Sequence, residues 1–451
     1  MDYEEQLPVL AFDEYPDDES PRASAGPLVE EPQSDEEREA LRRIQQALIS
    51  SKERRAVACF LDTAGYETVE ETTGALMAMA LHECYPRFVK SRGGRIVHAT
   101  AFSQREEVNP DFGTVRVDGE ERRFLTFGLL FAVLPEEKVV VSVMPIMGGT
   151  ITRVRSNKDS AALLREWTQF CAKNCYMKNR VFTPEGRLLE RSESFNWDDI
   201  VLDKRVRRTV GLHVGSFLKN CDVLEQVGMR PRRGLLLAGK PGCGKTLLGK
   251  VLANRLKEVS FIWVTPGCVR SASEITDIVQ LSRMVAPTVL FMEDIDLYAE
   301  DRSGIKDELR LGQLMNELDG ALENRGLVVI AATNRPEVVE KALRNRPGRF
   351  DRTLCLNPPD EEGREQLIRH LLSQGAEISE EDFLHLVEKS KGDTGAEIRD
   401  LVETILLLAV NEGQRGNGQG VRVSRDLIDA ALLDRGEKSD EGGRVGFATA
   451  A

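Results

Sequence analysis

The chain is 451 residues long, 41% hydrophobic and 30% charged, the make-up of a folded protein too large for one ordinary domain. It holds no apolar run of the ~18 residues that a membrane helix needs, and its acidic opening lacks the basic-then-apolar pattern of a secretory leader. The net charge of −13 sits almost wholly in residues 1–37, where 13 Asp or Glu face one Arg. The remainder is nearly neutral and has no dense Lys/Arg stripe, which argues against nucleic acid as a partner.

In chain order, residues 1–37 read as a disordered acidic tail: few large apolar groups, several prolines and strong self-repulsion. The tail is either a solubilising arm or a docking peptide for a basic partner, with Leu7, Val9, Leu10, Phe12 and Tyr15 as anchors. Residues 38–182 read as a small α+β domain with no recognisable catalytic motif. Helical patterns cover 38–58 and Ala75–His82, strands are expected at Arg95–His98, Thr114–Val117, Arg123–Leu134 and Val139–Val143, and a helix at Asp159–Tyr176. The eight cysteines form no CxxC pair, and Cys171 and Cys175 have no histidine close by in sequence, so buried reduced thiols in a cytoplasmic protein are expected rather than a zinc site.

Residues 183–196 read as a linker. From 197 to 359 apolar strands at Gly234–Ala238, Phe261–Val264, Val289–Met292 and Leu327–Ala332 alternate with helix-length polar-periodic stretches, which implies a parallel sheet with helices on both faces. After Pro358-Pro359 only helical patterns remain, at Glu361–Ser373, Ser379–Ser390, Gly395–Asn411 and Ser424–Leu433, so 360–435 is expected to be an all-α lid and 436–451 a disordered tail.

Gly239-Lys240-Pro241-Gly242-Cys243-Gly244-Lys245-Thr246 fits the phosphate-loop pattern GxxxxGK[ST] without mismatch, between an apolar strand and a helix that opens with Leu247. Glycines let the backbone curl so that successive N–H groups point at phosphate oxygens, and the helix N-terminus adds partial positive charge. Lys245 is expected to neutralise the terminal phosphates of a nucleotide, and Thr246 to offer its hydroxyl to Mg²⁺. A second acidic site, Glu293-Asp294-Ile295-Asp296, ends the strand Val289–Met292. Acids at such a strand end can organise Mg²⁺ and polarise water. Cys243, inside the loop, reads either as a small residue filling a tight turn or as a thiol whose thiolate form the surrounding positive field would favour.

With these motifs in place, residues 197–359 resemble the ATPase core of the AAA family, and 360–433 its helical lid. Trp197-Asp198-Asp199-Ile200 is similar to the family's segment beside the adenine, which implies contacts from Asp199 and Ile200. Thr333-Asn334 resembles the first sensor, where Asn334 would position the attacking water. Arg346-Pro347-Gly348-Arg349-Phe350-Asp351 resembles the second region of homology, which implies that Arg346 and Arg349 reach a neighbouring subunit's nucleotide. Thr394-Gly395-Ala396-Glu397 is similar to the lid segment that meets the base and ribose through Gly395 and Ala396. The resemblance implies ATP and Mg²⁺ as cofactors and self-association into a ring, a hexamer by family habit.

Three departures qualify what the resemblance implies. The family usually ends the acidic strand in Asp-Glu, whereas here Glu293 takes the Mg²⁺-organising place and Asp294, one methylene shorter, the water-polarising one. No aromatic-apolar-Gly triplet lies between Thr265 and Ala286, where the family places its substrate-gripping loop. His370 stands one position early relative to the family's adenine-facing histidine and is assigned no role. No HExxH string occurs. Two functions remain open: an ATP-hydrolysing ring that remodels a protein client recruited by 38–182, and a nucleotide-gated assembly scaffold with slow turnover and no threading.

Overall fold

The computed structural model describes residues 34, 37–38, 53–63, 65–103, 106–191, 195–230, 232–298, 307–319, 324–343, 350–373, 375–413 and 420–436. The expected tails at 1–37 and 436–451 therefore lie almost wholly outside the described residues, as does most of the helical pattern at 38–58.

The amino-terminal region runs α1 (Glu53–Leu61), β1 (Thr68–Thr73), α2 (Ala75–Ser91), β2 (Arg95–Ser103), β3 (Glu106–Val108), β4 (Asp111–Val117), β5 (Glu120–Val133), β6 (Lys138–Ile146), β7 (Gly149–Ser156) and α3 (Ser160–Asn174). Its antiparallel sheet has the order β1-β7-β6-β5-β2-β3, with β4 also paired to β5. The β4–β5 turn is Asp118-Gly119, both at positive φ (53° and 82°), which matches the twist of a tight hairpin. The apolar run in β5 is explained by burial on both faces. Leu130 and Ala132 pack toward α2 and α3, while Leu129 and Phe131 pack toward Phe60 of α1. Tyr85 of α2 meets Trp167 of α3 edge-on at 4.9 Å, and the Trp167 indole donates to the Leu81 carbonyl at 3.1 Å.

Two features of this region differ from the sequence expectation. Helix α2 does not stop at His82 but continues through Pro86 to Ser91, because Cys84, Tyr85, Phe88 and Val89 are all buried and tertiary packing outweighs the proline's missing donor. Strands β1 and β7 were not anticipated. β1 is Thr-Val-Glu-Glu-Thr-Thr on an edge with half of its side chains exposed, so it carries little apolar signal, and its partner β7 places Val154 between two arginines.

The second region begins earlier than the linker assignment allowed. Strand β8 (Val181–Phe182) pairs in parallel with β11 (Ser260–Val264), and β9 (Leu188–Leu189) folds back on β8, so part of the 183–196 segment is built into a sheet. After α4 (Lys204–Val210), which continues through a π-helical stretch Gly211–Ser216, come β10 (Arg232–Ala238), α5 (Lys245–Arg255), β11, α6 (Ala272–Met284), β12 (Thr288–Met292), α7 (Asp307–Asp319), β13 (Leu327–Thr333), α8 (Pro336–Leu343) and β14 (Arg352–Cys355). The sheet order is β14-β10-β13-β12-β11-β8-β9, parallel throughout except for β9. Every residue of β12 and β13 is buried, as expected for central strands covered on both faces.

The two regions share one hydrophobic core, in which Leu76 and Leu81 of α2 join Ile275, Ile278 and Val279 of α6. Asp277 of α6 accepts hydrogen bonds from the backbone N–H groups of Leu76 (2.8 Å) and Met77 (3.1 Å), so a side chain of the second region caps a helix of the first. Gly74 is obligatory there: a Cβ would lie 2.1 Å from the Asp277 Cγ.

The lid comprises α9 (Glu361–Leu372), β15 (Ala376–Ile378), α10 (Glu380–Lys389), α11 (Gly395–Asn411), β16 (Val421–Val423) and α12 (Arg425–Asp434) around its own core. It is not all-α: β15 and β16 form a short parallel pair beside the helices. Three residues each are too few to register as strands in the sequence. Among the described residues no helix is long and apolar enough to cross a membrane.

Candidate functional site

The site is built where the carboxyl ends of β10, β12 and β13 meet the lid. Chain turns sharply out of β10 at Gly239, where a Cβ would meet the Leu356 carbonyl oxygen at 2.3 Å. Gly242 and Gly244 have φ of +81° and +87°, conformations that only glycine adopts without strain, and they curl the loop onto the start of α5. The Lys245 ammonium is turned inward, donating to the carbonyls of Gly239 (2.6 Å) and Lys240 (2.9 Å), and burial lowers its pKa. The Thr246 hydroxyl donates to Oε1 of Glu293 at 2.7 Å.

Asp294 follows β12 with φ of +44°, a left-handed conformation that Asp tolerates better than a longer side chain does. Its Oδ1 accepts from the Asn334 amide at 3.0 Å. Burial, then the like charges of Asp296 and Glu293, push its carboxyl above the usual Asp range, with Lys245 opposing them. Asp296 turns the other way: it is buried and accepts from Thr333 Oγ1 at 2.6 Å, which ties the turn after β12 to the end of β13. The acidic triplet is thus divided between one structural acid and two that face the cavity.

The lid closes the other side. Thr394 and Glu397 form a reciprocal cap at the start of α11, and the Ala396 N–H donates to the Gly242 carbonyl at 3.1 Å, docking the lid on the phosphate loop. His370 bonds Asp199 at 3.1 Å. The resulting cavity of about 420 Å³ brings together Asp199, Ile200, Pro241, Gly242, Cys243, Gly244, Lys245, Thr246, Leu247, Glu293, Asp294, Asn334, Gly395 and Ala396. Arg346 and Arg349 lie outside the described residues. The end of their motif is anchored, with Asp351 Oδ2 accepting from the Gly234 N–H at 2.8 Å and its own N–H donating to the Gly234 carbonyl at 2.7 Å.

Sequence reasoning missed Val201, Ala332, Asn357, Pro359, Leu367 and Arg399, which also line the cavity. Arg399 was within reach of the pattern, since it stands four residues after Gly395 and therefore on the same helical face. The thiolate reading of Cys243 is corrected: burial pushes its thiol pKa up and outweighs the neighbouring Lys245 and Lys240.

The donor set suits a nucleotide with Mg²⁺. A hydroxyl and a carboxylate in contact are hard oxygen ligands, and Mg²⁺ typically completes its shell with water and phosphate oxygens rather than with a protein cage. Among the described residues no group of three or more His, Cys, Asp or Glu is poised to form such a cage. The cavity falls within the size range of small-molecule sites.

Comparison with known proteins agrees. The family described as "ATPase family associated with various cellular activities (AAA)" matches residues 235–358, from β10 to the edge of the lid. That stretch of the chain is therefore similar to an AAA ATPase module. The chain is 32% identical over 265 residues to the ATP-dependent zinc metalloprotease FtsH of Halothermothrix orenii, covering 56% of this chain and 41% of that protein. It is 36% identical over 243 residues to FtsH of Thermus thermophilus, covering 51% and 38% of the two chains. It is 35% identical over 246 residues to the cell division cycle protein 48 homolog of Archaeoglobus fulgidus, covering 52% and 33%. The chain thus spans less than half the length of these curated relatives.

Proposed function

We propose that this AAA protein binds and hydrolyses ATP in a ring oligomer and couples turnover to remodelling of a protein client held by residues 38–182. The observation that carries the reading is a single cavity that gathers the phosphate loop, the Glu293–Thr246 pair, the Asp294–Asn334 pair and the lid. The loop's backbone N–H groups and Lys245 bind the phosphates, and Asp199, Ile200, Gly395 and Ala396 hold the base and ribose. Thr246 and Glu293 would hold Mg²⁺, which when bound neutralises charge on the phosphate oxygens. Asp294 and Asn334 orient a water in line with the γ-phosphorus. The water oxygen forms the new P–O bond as the bond to the β,γ-bridging oxygen breaks, ADP leaves, and the water's proton passes toward Asp294. Arg346 and Arg349, supplied by a neighbouring subunit, clamp the charge that develops.

A second reading, a nucleotide-gated scaffold with slow turnover, is favoured by two observations. Asp294 is short and already engaged by Asn334. In addition, the segment after β11 is a tight Pro266–Cys268 turn followed by buried Val269, so it presents no gripping aromatic. Steady-state ATP turnover of the wild type and Arg349→Ala, with native mass in each nucleotide state, separates the two. Robust turnover lost in the variant supports the motor; negligible wild-type turnover with ATP-dependent assembly supports the scaffold. Lys245→Ala is expected to weaken ATP binding by at least ~100-fold, through loss of a charged contact to phosphate. Undiminished affinity would overturn the site.

A further inference from the structure

The cavity-facing acid Glu293 is held from behind by a residue that does not itself line the cavity. Trp263 of β11 is in register with Phe291 of β12, and their rings lie 4.7 Å apart. Phe261 completes the stack, 5.8 Å from Trp263 and 6.0 Å from Phe291. Glu293 is two residues beyond Phe291, so strand alternation puts its side chain on the same face. Its backbone N–H is fixed to the Val264 carbonyl at 2.9 Å. Its carboxylate is shared: Oε1 accepts from Thr246 at 2.7 Å and Oε2 from the Trp263 indole Nε1 at 3.4 Å. Helix α5, which carries Thr246, lies directly on the ladder, since a Cβ at Gly249 would meet Phe291 Cζ at 2.6 Å.

We propose that Trp263 is a positioning residue for the nucleotide and metal site: its indole N–H fixes the rotamer of Glu293 so that the other oxygen meets Thr246. A glutamate has one more rotatable bond than an aspartate, and without a second anchor its carboxylate samples orientations that leave Thr246. An indole has a single donor, and when partly buried it needs an acceptor, so the pairing satisfies both partners. The aromatic ladder holds the indole edge at the height of Oε2, which an aspartate at the same position, one methylene shorter, does not reach. The inference rests on the ATPase reading for its consequence, but the contact itself is testable without nucleotide.

The test uses the full chain with ¹⁵N-labelled indoles, the three tryptophan signals being assigned through Trp→Phe variants. In nucleotide-free protein the Trp263 indole N–H resonance moves upfield in Glu293→Ala and in Glu293→Asp. The Trp167 signal, bonded to a backbone carbonyl, stays in place. A Trp263 signal that stays put in both variants overturns the proposal. In turnover at saturating ATP, Trp263→Phe raises the Mg²⁺ concentration for half-maximal rate by about five- to tenfold, with the maximal rate kept within about twofold. In a Glu293→Asp background the same substitution has no effect on Mg²⁺ dependence. An equal loss of rate in both backgrounds would mean that the ring only fills space, and would end the idea. Wild-type protein that does not hydrolyse ATP would count against the ATPase reading, while the indole resonance would still decide the contact.

Discussion

Two acids, one at the joint between the regions and one in the nucleotide cavity, meet the same physical problem with opposite results. Burial pushes both Asp277 and Asp294 above the ordinary carboxyl range. Asp277 is almost fully buried, and its two oxygens each accept from a fixed backbone N–H of helix α2. It has nothing left to offer chemistry and acts as a bolt between α6 and the amino-terminal helix. Asp294 accepts from one side-chain amide, sits at positive φ and faces an open cavity, so it keeps acceptor capacity for a water. A raised carboxyl pKa therefore does not mark function by itself. What decides is whether the donors around the acid are fixed and complete, or few and next to space.

The comparison is sharpest in the variants that separate stability from rate. Asp294→Asn is expected to lower ATP turnover by ~10²–10⁴-fold, the range for loss of a group that handles a proton, with nucleotide affinity nearly unchanged. Single-turnover kinetics with a binding assay check it, and an equal loss of affinity would place Asp294 in binding instead. Asp277→Ala should do the reverse. Loss of the helix cap leaves two buried N–H groups without an acceptor and destabilises the chain by about 2–3 kcal/mol in denaturant unfolding. Turnover per folded molecule at a permissive temperature should stay close to wild type. If nucleotide binding collapses while the fold persists, the joint is part of the catalytic apparatus and the contrast fails.

The smallest expected effect is the pH dependence of Asp294. A carboxyl whose native pKa is raised penalises folding wherever it is ionised in both states. That penalty is full above the raised native value and disappears as pH falls to the ordinary Asp value of 3.8. Asp294→Asn removes it and should raise the melting temperature slightly at neutral pH, solvent screening of this half-exposed carboxyl keeping the effect small. The advantage should shrink to nothing as the pH is lowered through that window, and a differential scan at several pH values measures it. An advantage that grows on acidification would reverse the assigned sign.

Much of the half that holds the candidate site was legible because its signals are local. The phosphate loop, the acids after β12 and Asn334 after β13 each sit at a strand end, and a parallel sheet delivers neighbouring strand ends to one edge. The segments Asp199-Ile200 and Gly395-Ala396 were reached through family resemblance, and the cavity gathers them with the rest. Arg399 shares a helical face with Gly395, and the docking of the lid through Ala396 and Gly242 turns that face to the cavity. The amino-terminal half was less readable. Its polar edge strand β1 has no apolar pattern to find, and α2 runs past the expected end at His82, through Pro86, because packing sustains it.

By itself the sequence located a loop of phosphate-loop pattern, because the glycines that would let consecutive backbone N–H groups face a phosphate are clustered in one short stretch. It also set the Glu-Asp order of the acids, in which the shorter acid occupies a left-handed backbone position. Only the tertiary structure decided which acids are free to act. Asp277 and Leu76 are 201 positions apart, and the Trp263 indole meets Glu293 from another strand. Whether a polar group is a joint, a support or a reactant depends on donors brought to it by the fold. Spacing along the chain carries no record of those donors.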